Sequence, residues 1–197
     1  MNDCHIRAAL KQKLSKQYAN DPHTSIIEEL GLRHGEVRID LAVVNGSLHG
    51  YELKSDKDTL ERLPNQARIY NSIFDRITLV VGCKHAYEAI KLIPEWWGIK
   101  IAEQDLRKNI CFHNIRNERM NPSPDALSIA KLLWRDEAIA FLDEINSADG
   151  VRSKTKAEIY KRIIEKVDLK TIRIKVREQL RTRKNWRFDV QRKSNDD

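Results

Sequence analysis

The chain has 197 residues, enough for one full hydrophobic core and a small appendage. Hydrophobic residues make up 41% and charged residues 33%, and no apolar run approaches the ~20 residues that cross a bilayer, which argues against a membrane protein. The net charge of +7 is uneven: from residue 151 onward sixteen Lys and Arg face seven Asp and Glu, an excess of +9, which leaves the first 150 residues at −2.

The N-terminus, MNDCHIRAALKQKLSK, is polar and lacks a signal-peptide core, so a cytoplasmic location is expected. Cys4, Cys83 and Cys111 give an odd count without a close pair, which fits a reducing compartment. Cys83 with His85 and Cys111 with His113 have zinc-like spacing, but Cys83 closes the apolar run ITLVVGC and reads as a buried strand end.

Residues 4–18 read as a helix with an apolar stripe of Ile6, Leu10, Leu14 and Tyr18, stopped by Asn20-Asp21-Pro22. Residues 24–30 read equally as a strand or a helical turn. Residues 37–44 and 48–54 are strands around the turn Asn45-Gly46-Ser47. A two-residue loop would set Ile39 opposite Glu52 and mix apolar and acidic side chains on one face. A three-residue loop pairs Val44 with Leu48 and Asp40 with Glu52. Val37, Ile39, Leu41, Val43, Tyr51 and Leu53 then share an apolar face, and Arg38, Asp40, Ala42, Gly50, Glu52 and Lys54 share the other.

Asp58 and Glu61 have capping-box spacing, and Pro64 predicts a kink or two short helices within 58–74. Residues 77–83 suit a strand covered on both faces, 85–93 a helix ending before Pro94, and WWGIKIAE the start of another strand. Within 106–122, NICFHN reads as a short extra strand and NPSPD as a linker. Residues 124–145 read as one helix. Thr155 with Glu158 caps another, with Ile159, Ile163, Ile164 and Val167 on its buried stripe. In the last helix Leu169, Ile172, Val176 and Leu180 form an apolar stripe beside Lys170, Arg173, Arg177, Arg181 and Lys184. A one-signed stripe can track a phosphate backbone, and Arg183, Trp186 and Arg187 add cations and an aromatic platform. These residues are the expected nucleic-acid contacts.

Cross-strand neighbours lie roughly 5 Å apart at Cβ, so Asp40 and Glu52 can hold one cation between them. Two adjacent carboxylates repel, and a hard divalent ion such as magnesium or manganese removes the conflict while keeping waters for a phosphate substrate. Lys54 is placed to orient an attacking water or to stabilise charge on a phosphoryl oxygen.

Asp40 on one strand and Glu52-Leu53-Lys54 on the next resemble the PD-(D/E)XK nuclease superfamily, the restriction-endonuclease-like fold, with Val37, Arg38 and Ile39 standing where a Pro often precedes the Asp. Gln66 and Tyr70, four apart, match the Q-x-x-x-Y element of its RecB-like and phage-exonuclease branch, and EELGLRHGEVRIDL with GYELKSDKD is similar to the MmcB-type DNA-repair proteins and their uncharacterised relatives. The resemblance implies that Asp40 and Glu52 bind Mg2+ or Mn2+, that Leu53 adds a backbone carbonyl and that Lys54 serves the water. Gln66 and Tyr70 then lie beside the metal. Of the upstream acids Glu28, Glu29 and Glu36, Glu29 before Leu30 best matches the relatives.

The expectation is therefore an α/β restriction-endonuclease-like core over 1–121 (αβββαβ, a mixed sheet flanked by helices), with a basic helical extension over 122–197. The expected activity is metal-dependent hydrolysis of phosphodiester bonds, with DNA the expected substrate. The alternative is a catalytically silent module of the same fold that binds nucleic acid or docks a partner. Many superfamily members dimerise to cut both strands, so a homodimer is among the implied arrangements. Endonuclease and exonuclease action, and repair and defence, stay open.

Overall fold

A computed structural model describes residues 2–183 of the chain. Helix α1 (Asp3–Gln17) starts where the Asn2 side chain accepts the His5 N–H, and it buries Ile6, Leu10 and Leu14. Strands β1 (Ser25–Leu32), β2 (Val37–Val44) and β3 (Leu48–Lys54) form an antiparallel meander. Helix α2 (Leu63–Asn71) then crosses to β4 (Arg76–Gly82), which runs parallel to β3, and α3 (Ala86–Leu92) crosses to the parallel β5 (Gly98–Gln104). Strand β6 (Ile110–Arg116) returns antiparallel along β5. The six-stranded mixed sheet has the spatial order β1-β2-β3-β4-β5-β6.

The α1 stripe packs on one sheet face against Leu41, Val43, Tyr51, Leu53, Val80 and Ala102. The opposite face carries the larger core, which runs from Ile27, Ile39 and Ala42 through Tyr70, Phe74 and Ile77 to Ile129, Ile163, Val176 and Leu180. Those last residues belong to α4 (Ala126–Ala130), α6 (Lys156–Lys166) and α7 (Leu169–Thr182), with α5 (Arg135–Glu144) between α4 and α6. Residues on both sides of the 121/122 boundary thus share one core.

Several expectations need revision in detail. The segment 124–145 is two helices, because Trp134 adopts extended backbone and donates its N–H to Glu137 Oε2 at 2.7 Å, starting a second helix there. Asp58 caps no helix; its Oδ2 takes the Ser55 N–H and hydroxyl, both at 2.6 Å, and Pro64 sits in the first turn of the single helix α2, where its missing N–H costs nothing. Of residues 24–30, all but Thr24 fall in β1. Cys83 is exposed, as are Cys4 and Cys111, and all three are free thiols.

The hairpin register runs from Val44 opposite Leu48 to Leu41 opposite Tyr51, as a three-residue turn requires. The face assignment holds for Leu41, Val43, Tyr51 and Leu53 but not for Ile39 and Val37, which pack with Ala42 and Val44 on the opposite core. The reason lies at one level of the sheet. Glu29 adopts φ 51°, and the β1–β2 pairing lapses there, between Glu28 opposite Leu41 and Leu30 opposite Ile39. Both strands exchange faces across this point, so strict alternation fails at Asp40.

Candidate active site

Glu52 and Lys54 are two apart on β3, so they leave the same face of the strand. Gln66 and Tyr70 are four apart on α2, one turn above each other, and α2 lies over that face. The result is a carboxylate, 2% exposed, held by three donors. Lys54 Nζ lies 2.7 Å from Glu52 Oε1, Gln66 Nε2 lies 2.8 Å from the same oxygen, and the Tyr70 hydroxyl lies 2.7 Å from Oε2. That hydroxyl is also 2.8 Å from the Arg38 carbonyl. With one proton to give, Tyr70 serves one acceptor at a time.

Asp40 meets the cluster from β2. Its Oδ2 accepts the Leu53 N–H at 2.8 Å, and Arg7 Nη2 approaches its Oδ1 at 3.2 Å. Arg7 projects from α1 and also bonds Asp3 Oδ2 at 2.7 Å and pairs with Glu29. Glu29 therefore joins the site through Arg7, whereas Glu28 pairs with Lys11 and Glu36 is exposed. Arg7 and Asp3 were invisible to sequence reasoning, which had no signal linking the first helix to residue 40.

Burial sets the electrostatics here. Desolvation, followed by the neighbouring Glu52 charge, pushes the Asp40 carboxyl up to about 8. Desolvation raises Glu52 as well, against the pull of Lys54, Tyr70 and Gln66. Burial and the Glu52 charge drive the Tyr70 phenol upward, so it stays neutral. An acid whose folded pKa exceeds its unfolded value keeps a proton that the unfolded chain releases. Its penalty is absent below about pH 4, grows as pH rises toward 8, and is complete above that. In EDTA the melting temperature is expected to fall between pH 6 and pH 8.5, and Asp40→Asn should flatten that slope; a wild-type slope of zero would mean the carboxyl titrates normally.

The donor set suits a divalent cation. A carboxylate offers about four lone-pair directions. After the described hydrogen bonds, Glu52 Oε2 and both Asp40 oxygens each keep one. The Gln66 Oε1 atom is buried without a partner, while its Nε2 is committed to Glu52, so an acceptor for a water or ligand proton stands beside the carboxylate. Among the described residues no three His, Cys, Asp or Glu side chains group as a metal-binding cluster, and a cation held here would need carbonyl, water or substrate oxygens to fill its shell.

Residues 1–195 match the family described as bacteriophage P4 protein cII. The chain belongs to that family. A curated relative, protein cII of Enterobacteria phage P4, is 34% identical over 120 residues, which is 61% of this chain and 45% of the relative, so the match spans under half the relative's length. Among solved structures, the SPO1766 protein of unknown function from Silicibacter pomeroyi aligns with TM-score 0.41 at 15% identity, covering 77% of this chain and 91% of that one. Pyrococcus furiosus SfsA in complex with Ca2+ aligns with TM-score 0.37 at 13% identity, covering 59% and 65%.

In this cII-family chain the C-terminal basic residues divide. Arg173 pairs with Asp75, Arg177 lies 3.6 Å from the same carboxylate, and Arg181 donates to the His23 carbonyl at 3.1 Å. Arg183 bonds Glu137 and the Leu132 carbonyl and stacks on Trp134. Lys170 is exposed. Lys184, Trp186 and Arg187 lie outside the described residues. Arg173 and Arg177 are thus drawn inward by a buried acid that a helical wheel does not reveal.

Tyr70→Phe removes one hydroxyl that serves two acceptors. Truncation should cost about 1–3 kcal/mol, because the Arg38 carbonyl and Glu52 Oε2 stay buried with one donor fewer. Urea unfolding reads this directly, and a change below 0.5 kcal/mol would mean water replaces the hydroxyl.

Proposed function

We propose that this cII-family chain is a metal-dependent nuclease that hydrolyses phosphodiester bonds, with DNA the expected substrate, on a restriction-endonuclease-like core. One observation carries the reading: a 2%-exposed glutamate gathers a lysine, a glutamine and a tyrosine from two elements, with an aspartate of the adjacent strand beside it. A purely structural ion pair has no need for a second acid, whose carboxyl is raised by burial and by the neighbouring Glu52 charge and costs stability. The element order α1-β1-β2-β3-α2-β4 supports the same core.

In this reading Asp40, Glu52 and the Leu53 carbonyl hold Mg2+ or Mn2+, which when bound lowers the pKa of a water and draws charge from a phosphoryl oxygen. Gln66 and Tyr70 fix the Glu52 carboxylate, so its free lone pair points one way. The Lys54 ammonium, 12% exposed at its side chain, orients the water and stabilises the negative charge that grows on the phosphoryl oxygens. Water oxygen bonds to phosphorus, the ester oxygen leaves with a proton, and a phosphate monoester and a hydroxyl result.

The test incubates the full chain with single-stranded and duplex DNA, linear and circular, in Mg2+, Mn2+ or EDTA. Cleavage that requires a metal is expected, and cutting of circles would add that no end is needed. No cleavage under any condition would overturn the reading. It would leave the alternative, a silent module of the same fold, which the contact between Arg7 and Asp40 favours because a guanidinium there competes with a cation.

A further inference from the structure

We propose that the groove between α1 and the β5–β6 hairpin holds a single-stranded stretch of nucleic acid, an inference that rests on the nuclease reading. The groove measures about 810 Å3 and is walled by α1 on one side and by residues 104 and 108–112 on the other. That volume accepts several nucleotides.

Its charge has one sign. Lys13 and Lys16 rise from the helix and Lys108 from the hairpin, and among the described residues lining the groove there is no carboxylate. The nearest acids are engaged: Asp105 accepts from the Arg107 N–H and from Asn109 within its own turn, and Glu103 lies 3.5 Å from His113. Three cations on the two walls of one groove suit a polyanion that runs along it.

Its floor is apolar and partly aromatic. Ala8 and Ala9 leave the helix wall low, and Phe112 faces the groove with Lys13 Nζ 5.4 Å from its ring centroid. A ring beneath an ammonium group, at the height where two small side chains leave space, accepts a stacked base whose phosphate meets the lysine. A duplex keeps its base faces covered, so this floor has something to bind only in an unpaired strand.

The groove and the site share one end of the sheet. Ala8 follows Arg7, whose guanidinium contacts Asp40. Lys54, Val81 and Ile101 lie level across the parallel strands β3, β4 and β5, and the hairpin residues of the groove stand at and beyond that level, at the same end of the sheet. The groove lies on the α1 face of the sheet and Glu52 with α2 on the other, so a strand held in it reaches the carboxylates only around that shared end of the sheet.

The test measures fluorescence anisotropy of a labelled twelve-residue oligothymidylate and of a duplex of equal length with the full chain in EDTA, where cleavage chemistry plays no part. Lys13→Glu, Lys16→Glu and Lys108→Glu combined should weaken oligothymidylate binding at least tenfold and make the slope of log affinity against log salt shallower by about 2. Duplex binding should change less. Because Phe112→Ala can disturb packing, ultraviolet crosslinking of oligothymidylate to the wild-type chain gives a second measurement, with the crosslinked peptide expected to contain residues 110–112. Unchanged affinity in the triple variant, equal losses for strand and duplex, or crosslinks confined to other segments would overturn the proposal. Strand binding in the groove without cleavage in any metal would remove the nuclease reading alone; wild-type cleavage with unchanged binding in the triple variant would remove the groove alone.

Discussion

Glu52→Gln should cut metal-dependent cleavage by about a thousandfold while leaving the melting temperature in EDTA at or above that of the wild type. The substitution is nearly isosteric, and the site can absorb it. The new amide oxygen still accepts from Lys54 and Gln66, where Glu52 Oε1 accepts now. The new NH2 donates to the Tyr70 oxygen, and Tyr70 turns its single proton to the Arg38 carbonyl 2.8 Å away. The hydrogen bonds survive, and losing the desolvation cost that raises the Glu52 pKa offsets the loss of the ion pair with Lys54. Under the nuclease reading, the substitution also takes away the anionic oxygen that would hold a cation. Activity and stability therefore move independently, and a variant that cleaves at the wild-type rate would take Glu52 out of the mechanism whatever its stability.

Asp75→Ala is expected to destabilise the fold by about 3–5 kcal/mol, roughly 10 °C in melting temperature for a domain of this size. Asp75 is 2% exposed, takes the Leu48 N–H on Oδ2 at 2.7 Å, and receives Arg173 and Arg177 from α7. Truncation leaves a buried main-chain donor unpaired and two partly buried guanidinium groups beside each other. Asp75→Asn, which keeps an acceptor for Leu48, should fall between wild type and alanine. A double-mutant cycle with Arg173→Ala should return a coupling of more than 1 kcal/mol; additivity would mean that the pair contributes no net stability.

The parts of the fold and site that are legible in the sequence are local. Ile6, Leu10 and Leu14 recur at helical spacing, and a turn of three residues fixes the β2–β3 register. Glu52 with Lys54 on a strand and Gln66 with Tyr70 on a helix need only the periods of 2 and 3.6 to be placed on facing surfaces. What escaped reading depends on contacts across the chain or on unusual backbone. Arg7 reaches Asp40 from a helix 33 residues away, and its own neighbours suggest only a solvated face. The face exchange at Asp40 follows from a positive φ at Glu29, a residue whose type does not announce it. Arg173 and Arg177 count as surface charge on a helical wheel because Asp75, in the stretch NSIFDRI, looks like a turn residue until the sheet closes around it.

The tie between Asp75 and Arg173, 98 residues apart, also has a consequence for the order in which the chain can mature during synthesis. The residues of the site lie between positions 3 and 70, so the whole constellation has left the ribosome while Asp75 still lacks its cations. At typical elongation rates the partners follow about 5–20 s later. Until then the Asp75 carboxylate lacks its guanidinium partners, and the sheet face that α7 covers stays open to water. The nascent chain carries the Asp40–Glu52 cluster before it has a closed core, and α7 acts as the latch that completes folding.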